Sequence, residues 1–536
     1  MRCDREAVTL RDLRASGTPA RTFLNLRKTQ PVRRVPLLSG SRIVHVPLGD
    51  DDVLLQPPAP PARVVDVRAA VRDALRFPLD EQPFTELRLP TAARVTIVVE
   101  PPALPLPGAQ TDSRREALAT VLDELTASGV RDERQTILVS GGLSRKLGRR
   151  DLERLLPPPE ARAFRGRVVV HDAADPALAP IALDDGTEAR IAPGLLDADL
   201  VIVVSSAETV ADGGPAALLS ACDAKTVRRG AAADSLVQAA GEPAWELALS
   251  VEDAVRQRVP VLGVSLTLDH PRLTGRFRDY PHTAASLEHV STSPLRRLYS
   301  LLPAALRRDV LRDQHRALAA TAVFAGSPSV AHAEALVRTV ELRGINVDEP
   351  LDALVIGVPW IGPDMPREPL NPVTSAAVVL GHALRLWRDA FPIREGGTLV
   401  LVHSLTRSFA HGRRDPYHRV FDALTIGDPD AVRMSELLAA GDESAVDDYR
   451  AGRTCHPLMP YADWAGCAPA LARLGRVVVA GSRDAVAARA LGFVPSHSIT
   501  SALEVAHGLA GGRARVGVLL APPYAPLLAG GQPSPR

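Results

Sequence analysis

The strongest constraint on the fold is a set of short, unbroken apolar runs that alternate with helical stretches. Arg94–Val99 (RVTIVV), Gln135–Val139, Arg167–Val170 and Asp199–Val204 lack the polar alternation of a half-exposed strand. Runs of this kind belong to strands covered on both faces, as in a parallel sheet. Between the first two lies Ser113–Ser128, with Ala117, Leu118, Val121, Leu122 and Leu125 on one helical face. Ser113 followed by Glu116 predicts a capping box, and Gly129 predicts the stop. Arg149–Leu156 reads as a short helix ended by Pro157, Pro158 and Pro159. Strand and helix in alternation predict a doubly wound sheet.

The same grammar returns in the second half. Leu351–Val358, Thr398–Val402, Arg476–Ala480 and Arg515–Leu520 read as buried strands, with a helix from about Thr374 to Asp389. A chain of 536 residues can bury two cores of this kind. The expectation is therefore α/β, with two Rossmann-like doubly wound domains and a cleft between them. The boundaries fall at 1–63 (a basic arm ending in the proline-rich DDDVLLQPPAPPAR), 64–268 (first α/β domain), 269–318 and 319–536 (second α/β domain). Residues 269–318 form an insertion rich in arginine that carries His270, His282, His289 and His315. Its end, PLRRLYSLLPAALRRDVL, predicts short amphipathic helices. The insertion reads as a solvated linker or lid, with an anion-facing flap or subunit contact as the alternative.

A formal net charge of +1 gives no reason to invoke nucleic acid. No apolar run is long enough to span a membrane, and the arginine-rich first 40 residues lack a signal-peptide core. Cys3, Cys222, Cys455 and Cys467 are scattered without CxxC spacing, which fits a reduced cytoplasm better than a disulfide framework. No HxH, HExxH or GxSxG occurs, so neither a metal site nor a serine hydrolase is assigned.

Ligands of doubly wound sheets bind beyond the carboxyl ends of the strands. In the first half those ends are Glu100-Pro101-Pro102, Ser140-Gly141-Gly142, His171-Asp172 and Ser205-Ser206. Ser140–Lys146 joins a strand to a helix, where free N–H groups beside Arg145 and Lys146 could hold a carboxylate or phosphate. The alternative is a glycine turn carrying two solvated cations. His171 could serve as a general base with Asp172 setting its tautomer, or be a hydrogen-bonded structural histidine. In the second half the ends are Pro359-Trp360, His403-Ser404, Gly481-Ser482 and Pro522-Pro523.

From about Val64 to Ala521 the order of segments resembles the nickel-dependent lactate racemase family. ILVSGGLSRKLGRRDLERLL is similar to that family's strand–GTHRP–helix segment, and VVVHDAADP to its histidine loop. DADLVIVVSSAE, VFAGSPSVAH, LNPVTSAAVVLGHAL and EGGTLVLV occupy the places of further blocks. The resemblance implies racemase or epimerase chemistry on a small 2-hydroxy acid. It places one catalytic base at His171 and the other at Ser144, with Arg145, Lys146 and Asn371 as substrate-binding residues. It also implies a nickel-pincer nucleotide tethered to a lysine, and here the chain departs from the family. The expected tether falls near Ile181, and the nickel-binding histidine of the family falls on Val210. The DxTRP segment becomes Glu100-Pro101-Pro102-Ala103-Leu104, and the family's glutamine and lysine after Asn371 fall on Thr374 and Ala377. No metal or cofactor site is therefore assigned. The ligand expected is a small carboxylate, with a homo-oligomer, or pairing with an active relative, left open. A non-catalytic anion-binding or regulatory relative is the alternative reading.

Overall fold

The computed structural model describes residues 33–90, 92–102, 104, 112–314, 317–361, 370–510 and 514–530. Cys3, Lys28, Ala103 and His315, and the first half of the basic arm, lie outside the described residues. The chain opens with a hairpin, β1 (Arg33–Ser39) and β2 (Arg42–Leu48), followed by β3 (Val53–Leu55). Then come β4 (Val95–Val99), β5 (Gln135–Val139), β6 (Arg167–Val170), a small hairpin of β7 (Ala179–Ala182) and β8 (Glu188–Ile191), and β9 (Leu200–Ser206). After these run β10 (Val261–Leu268), β11 (Ala320–Gly326), β12 (Ile345–Val347) and β13 (Leu351–Gly357). The last are β14 (Trp387–Arg388), β15 (Ile393–Val402), β16 (Arg476–Ala480), β17 (Val494–Ser496), β18 (Val516–Leu519) and β19 (Leu527–Ala529).

Two six-stranded sheets dominate, as expected for a two-domain α/β chain. The first has the order β11-β10-β9-β4-β5-β6, parallel except for β11. Its two faces are both buried: Ile97, Ile137 and Ile202 point into one apolar cluster, Val98, Leu138 and Val203 into another. β6 is the exception, since it is the edge strand and leaves Val168 exposed. The second sheet has the order β17-β16-β15-β13-β18-β3, all parallel.

Helix Arg114–Ala127 ends in a Schellman motif: Gly129 has φ +92, its N–H reaches Thr126 O at 3.0 Å, and Val130 N–H reaches Leu125 O at 3.0 Å. Its start differs from the expected capping box. The Ser113 hydroxyl accepts from Ala320 N–H at 2.8 Å and Glu116 pairs with Arg68, so both side chains serve long-range contacts. Pro157–Pro159 likewise do not simply stop a helix. The first helix ends at Leu152, and Pro158 opens a second one, Pro158–Ala163, because the N–H that proline lacks has no acceptor in a first turn. The expected helix over 374–389 is three pieces: α-helix Pro372–Ala376, a π-helical turn Ala377–His382 and a 3-10 turn Ala383–Arg385.

The domain boundaries move in two places. Strand β11 and helix Pro328–Arg343 belong to the first domain, because β11 pairs with β10 and closes that sheet. Residues 33–55, expected as part of a loose arm, belong to the second domain instead. There β3 pairs with β18, and Leu37 and Val46 are fully buried. The hairpin lies so close to β13 that a Cβ on Gly357 would sit 2.1 Å from Leu38 O. Nor is the insertion a solvated linker. Phe277, Tyr280, Leu287, Val290 and Leu311 share one apolar cluster with the hairpin and with Val355, Val400 and Val478 of the second sheet. Hairpin and insertion together roof one face of that sheet. Among the described residues, no helix is long and apolar enough to cross a membrane.

Candidate functional site

In the first sheet β4 is followed outward by β5 and β6 on one side, and by β9, β10 and β11 on the other. The reversal lies between β4 and β9, so their carboxyl ends open the crevice where ligands of such sheets bind. Glu100 stands at the end of β4. Burial and the nearby Asp212 carboxylate push its pKa up to about 8, against the opposing pull of Arg114 and the Gly213 N–H. That places its titration near neutrality, where a carboxyl can give or take a proton. Gly213 (φ +86) and Gly214 (φ +50) make the turn that brings this N–H in. A Cβ on Gly213 would lie 2.6 Å from the His332 ring and 2.7 Å from Ser206 O, so only glycine fits.

The loop after β5 is shaped by the second domain as much as by its own sequence. Gly142 has φ +53 and donates to Ser220 O at 3.1 Å, and Ser144 N–H closes a turn on Gly141 O at 2.9 Å. The buried Tyr449 hydroxyl donates to Gly142 O at 3.2 Å and accepts from Ala173 N–H at 3.2 Å. One second-domain side chain thus ties together the loops that follow β5 and β6. His456 N–H adds a bond to Leu143 O at 2.9 Å.

Lys146 is committed within this contact: its Nζ lies 3.1 Å from Asp172 Oδ2 and 5.0 Å from the centre of the Tyr449 ring. Arg450 approaches the same carboxylate at 3.5 Å. Burial alone would raise the Asp172 pKa, but the Ala174 N–H and Lys146 outweigh it and hold the carboxylate below its usual range. Asp172 therefore bridges domains and does not set a tautomer for its neighbour. That tautomer is set by Cys222, whose carbonyl accepts from His171 Nε2–H at 2.8 Å. His171 is only 4% exposed, and its burial, opposed by the Cys222 carbonyl and Asp172, lowers its pKa and keeps it neutral. Arg145 is half-buried beside Ser144. Asn371 is buried and caps the next helix, its Oδ1 accepting from Thr374 N–H at 2.9 Å. Its Nδ2, with Thr374 Oγ1 and Ser375 Oγ, has no hydrogen-bond partner among the described residues.

Between the domains lies a cavity of about 190 Å³. The first domain contributes Gly141, Gly142, Ser144 and Asp212, and the second contributes His382 and Arg385. The sequence-derived site residues are therefore divided: Ser144 lines this cavity, whereas Arg145, Lys146, His171 and Asn371 stand outside its lining. His382 and Arg385 escaped the sequence reading because they sit inside a stretch taken for an ordinary amphipathic helix. The polar pair in GHALR, within an otherwise apolar run, was the available signal. His382 ends a π-helical turn, a feature common at functional sites, and Arg385 ends the 3-10 turn that follows it. Arg385 also clamps the two domains, donating to Ala233 O through Nη2, while Leu236 N–H donates to Arg385 O at 2.8 Å. Arg473 grips Asp234 with two bonds of 2.6 Å.

The family's tethered nickel nucleotide does not fit these residues. Ile181, at the expected tether, is 2% exposed in an apolar cluster, and Val210, at the nickel-ligand position, is 0% exposed. Among the described residues the lysines are Lys146, already paired with Asp172, and Lys225, exposed on another helix. No group of three or more His, Cys, Asp or Glu side chains with metal-holding geometry occurs among the described residues.

Residues 40–211 match the family model for the lactate racemase N-terminal domain. Among solved structures, the lactate racemase apoprotein of Thermoanaerobacterium thermosaccharolyticum superimposes with a TM-score of 0.59 at 13% identity, covering 93% of this chain and 100% of that one. A protein from Thermotoga maritima superimposes with a TM-score of 0.48 at 12% identity over 86% of this chain and 97% of its own. No curated protein sequence matches. The chain thus resembles the lactate racemase family in its first domain and shares the racemase's fold along nearly its whole length.

Proposed function

We propose that this lactate racemase-like chain is a cytoplasmic protein that binds a small 2-hydroxy acid or related carboxylate in its interdomain cavity. The observation that carries this reading is the convergence of the Gly141–Ser144 turn, from one domain, with His382 and Arg385, from the other, on about 190 Å³. That volume is below the roughly 300–1,000 Å³ of sites for drug-sized ligands, so it suits an acid of a few carbons. The Ser144 hydroxyl supplies a hydrogen bond to the ligand, and Arg145, next in the chain but outside the lining, turns in as the carboxylate anchor. A catalytic form of this reading takes His171 as the base, acting through Nδ1 because Nε2 carries the proton held by Cys222; it requires the loop after β6 to open, since His171 is buried outside the lining.

A second reading is favoured by the apolar burial of Ile181 and Val210: a relative that binds the acid without racemising it. Calorimetric titration with lactate and its homologues separates the two when combined with a chiral assay. Saturable binding that weakens in Ser144→Ala supports the cavity assignment, and an absence of binding by every such acid overturns it. Enantiomer exchange lost in His171→Ala supports the catalytic form; binding without exchange supports the second.

A further inference from the structure

A second cavity, of about 560 Å³, lies beyond the carboxyl ends of β15 and β16 and shares no lining residue with the interdomain cavity. Three parts of the chain build it. The hairpin supplies Arg42, the insertion supplies Arg307 and Arg308, and the sheet loops supply His403 and Arg483. Among the described residues no carboxylate lines it, and none of these four arginines forms an ion pair. Asp484, the nearest acid in sequence to Arg483, is engaged by Arg407 at 2.7 Å.

Unpaired like charges gathered in a concave site repel one another, and a fold that keeps them there does so against its own stability. Burial and the fields of Arg483 and Arg307 lower the Arg42 pKa, which marks how near these groups are. Arg307 is only 8% exposed, and its Nε has no partner although Nη1 donates to Leu302 O. A buried guanidinium with an unmet donor is costly until an anion supplies the acceptor. Neutral donors complete the lining. His403 accepts from Leu405 N–H through Nδ1 at 3.2 Å, which leaves Nε2–H as a donor. Helix Ile499–Ala510 starts at the cavity wall, with its positive end toward the arginines. Leu405 takes φ +40, a left-handed conformation that a buried leucine adopts only under constraint. Trp360, half-buried, stands in the same wall.

We infer that this cavity is a binding site for a phosphorylated metabolite of nucleotide size, its phosphates on Arg42, Arg307 and Arg483 and its aromatic base against Trp360. Guanidinium groups bind phosphate oxygens in pairs, and aromatic side chains stack on any base. The insertion then has a role that neither a linker nor a lid describes, because it delivers two of the arginines. This site is separate from the interdomain cavity and stands whether or not a hydroxy acid binds there.

The test is titration calorimetry of the full chain with inorganic pyrophosphate and with ADP, at low and at raised salt. Both bind, ADP the more tightly, and salt weakens both. The double variant R42Q/R483Q weakens pyrophosphate by about tenfold per arginine, as loss of one charge-assisted bond predicts. It leaves hydroxy-acid titration unchanged. Trp360→Leu removes the advantage of ADP over pyrophosphate. Arg308→Gln, on the exposed rim, weakens binding modestly and keeps the test open should the double variant fail to fold. Pyrophosphate affinity equal in wild type, R42Q/R483Q and Arg308→Gln, or no binding of either probe at millimolar concentration, overturns the inference.

Discussion

Tyr449→Phe removes one oxygen atom and nothing else from the contact between the domains. The ring stays, so Lys146 keeps its place over the aromatic face and His456 keeps its edge contact at 5.1 Å. What is lost is a bridge: Ala173 N–H loses its acceptor and Gly142 O loses its donor, each at 3.2 Å. The site is buried, with Tyr449 only 1% exposed, so water does not readily replace the hydroxyl. Leaving a buried backbone group unpaired costs about 1–3 kcal/mol, and both bonds are at the long end of the normal range. The sum is about 2–4 kcal/mol, which corresponds to a fall in melting temperature of roughly 4–16 °C for a cooperative unit of 150–250 residues. Differential scanning calorimetry reads the stability, and amide hydrogen exchange at Ala173 reads the local opening. A variant within about 0.5 kcal/mol of wild type, with Ala173 exchange unchanged, would refute the claim that this hydroxyl couples the two strand-end loops.

Two further outcomes are expected. Glu100 binds its proton more tightly folded than unfolded, so between about pH 4.5 and its raised pKa of about 8 the folded chain loses stability relative to the unfolded one. Glu100→Gln abolishes that loss, and urea midpoints across this window diverge progressively in the variant's favour; parallel curves would show that Glu100 does not titrate there. Gly213→Ala combines a left-handed backbone with contacts of 2.6 and 2.7 Å, and lowers stability by at least about 2 kcal/mol in chemical denaturation. A loss under about 0.5 kcal/mol would mean that the turn re-forms without strain.

The strands were legible because burial on both faces leaves a signature that depends only on neighbours in sequence. Gln135–Val139 and Arg476–Ala480 coincide with their expected limits for that reason. What sequence concealed was partnership. Ser113 and Glu116 have the composition of a capping box, yet strand β11 and Arg68 claim their side chains. Lys146 and Asp172 have the composition of a substrate site, yet they pair with each other within the first domain and meet Tyr449 and Arg450 of the second. His382 and Arg385 reach the cavity from a π-helical turn and the 3-10 turn after it, and 3.6-residue periodicity anticipates neither. Glu100 was visible as an acid at a strand end, but its raised pKa depends on Asp212, far along the chain.

The register of β3 against β18, with Val53 beside Gly517, also governs how the molecule is made. Ribosomes deliver β3 early and β18 only after more than four hundred further residues. The first sheet closes entirely between Val95 and Gly326, so that domain can complete its core while the hairpin waits outside it. The second domain cannot, since its edge strand and part of its roof come from the segment synthesised before the first domain. Contacts of such long sequence separation form slowly. In the interval Leu37 and Val46 are exposed on a nascent chain with no sheet to cover, and a chaperone that shields that hairpin would govern the yield of folded protein.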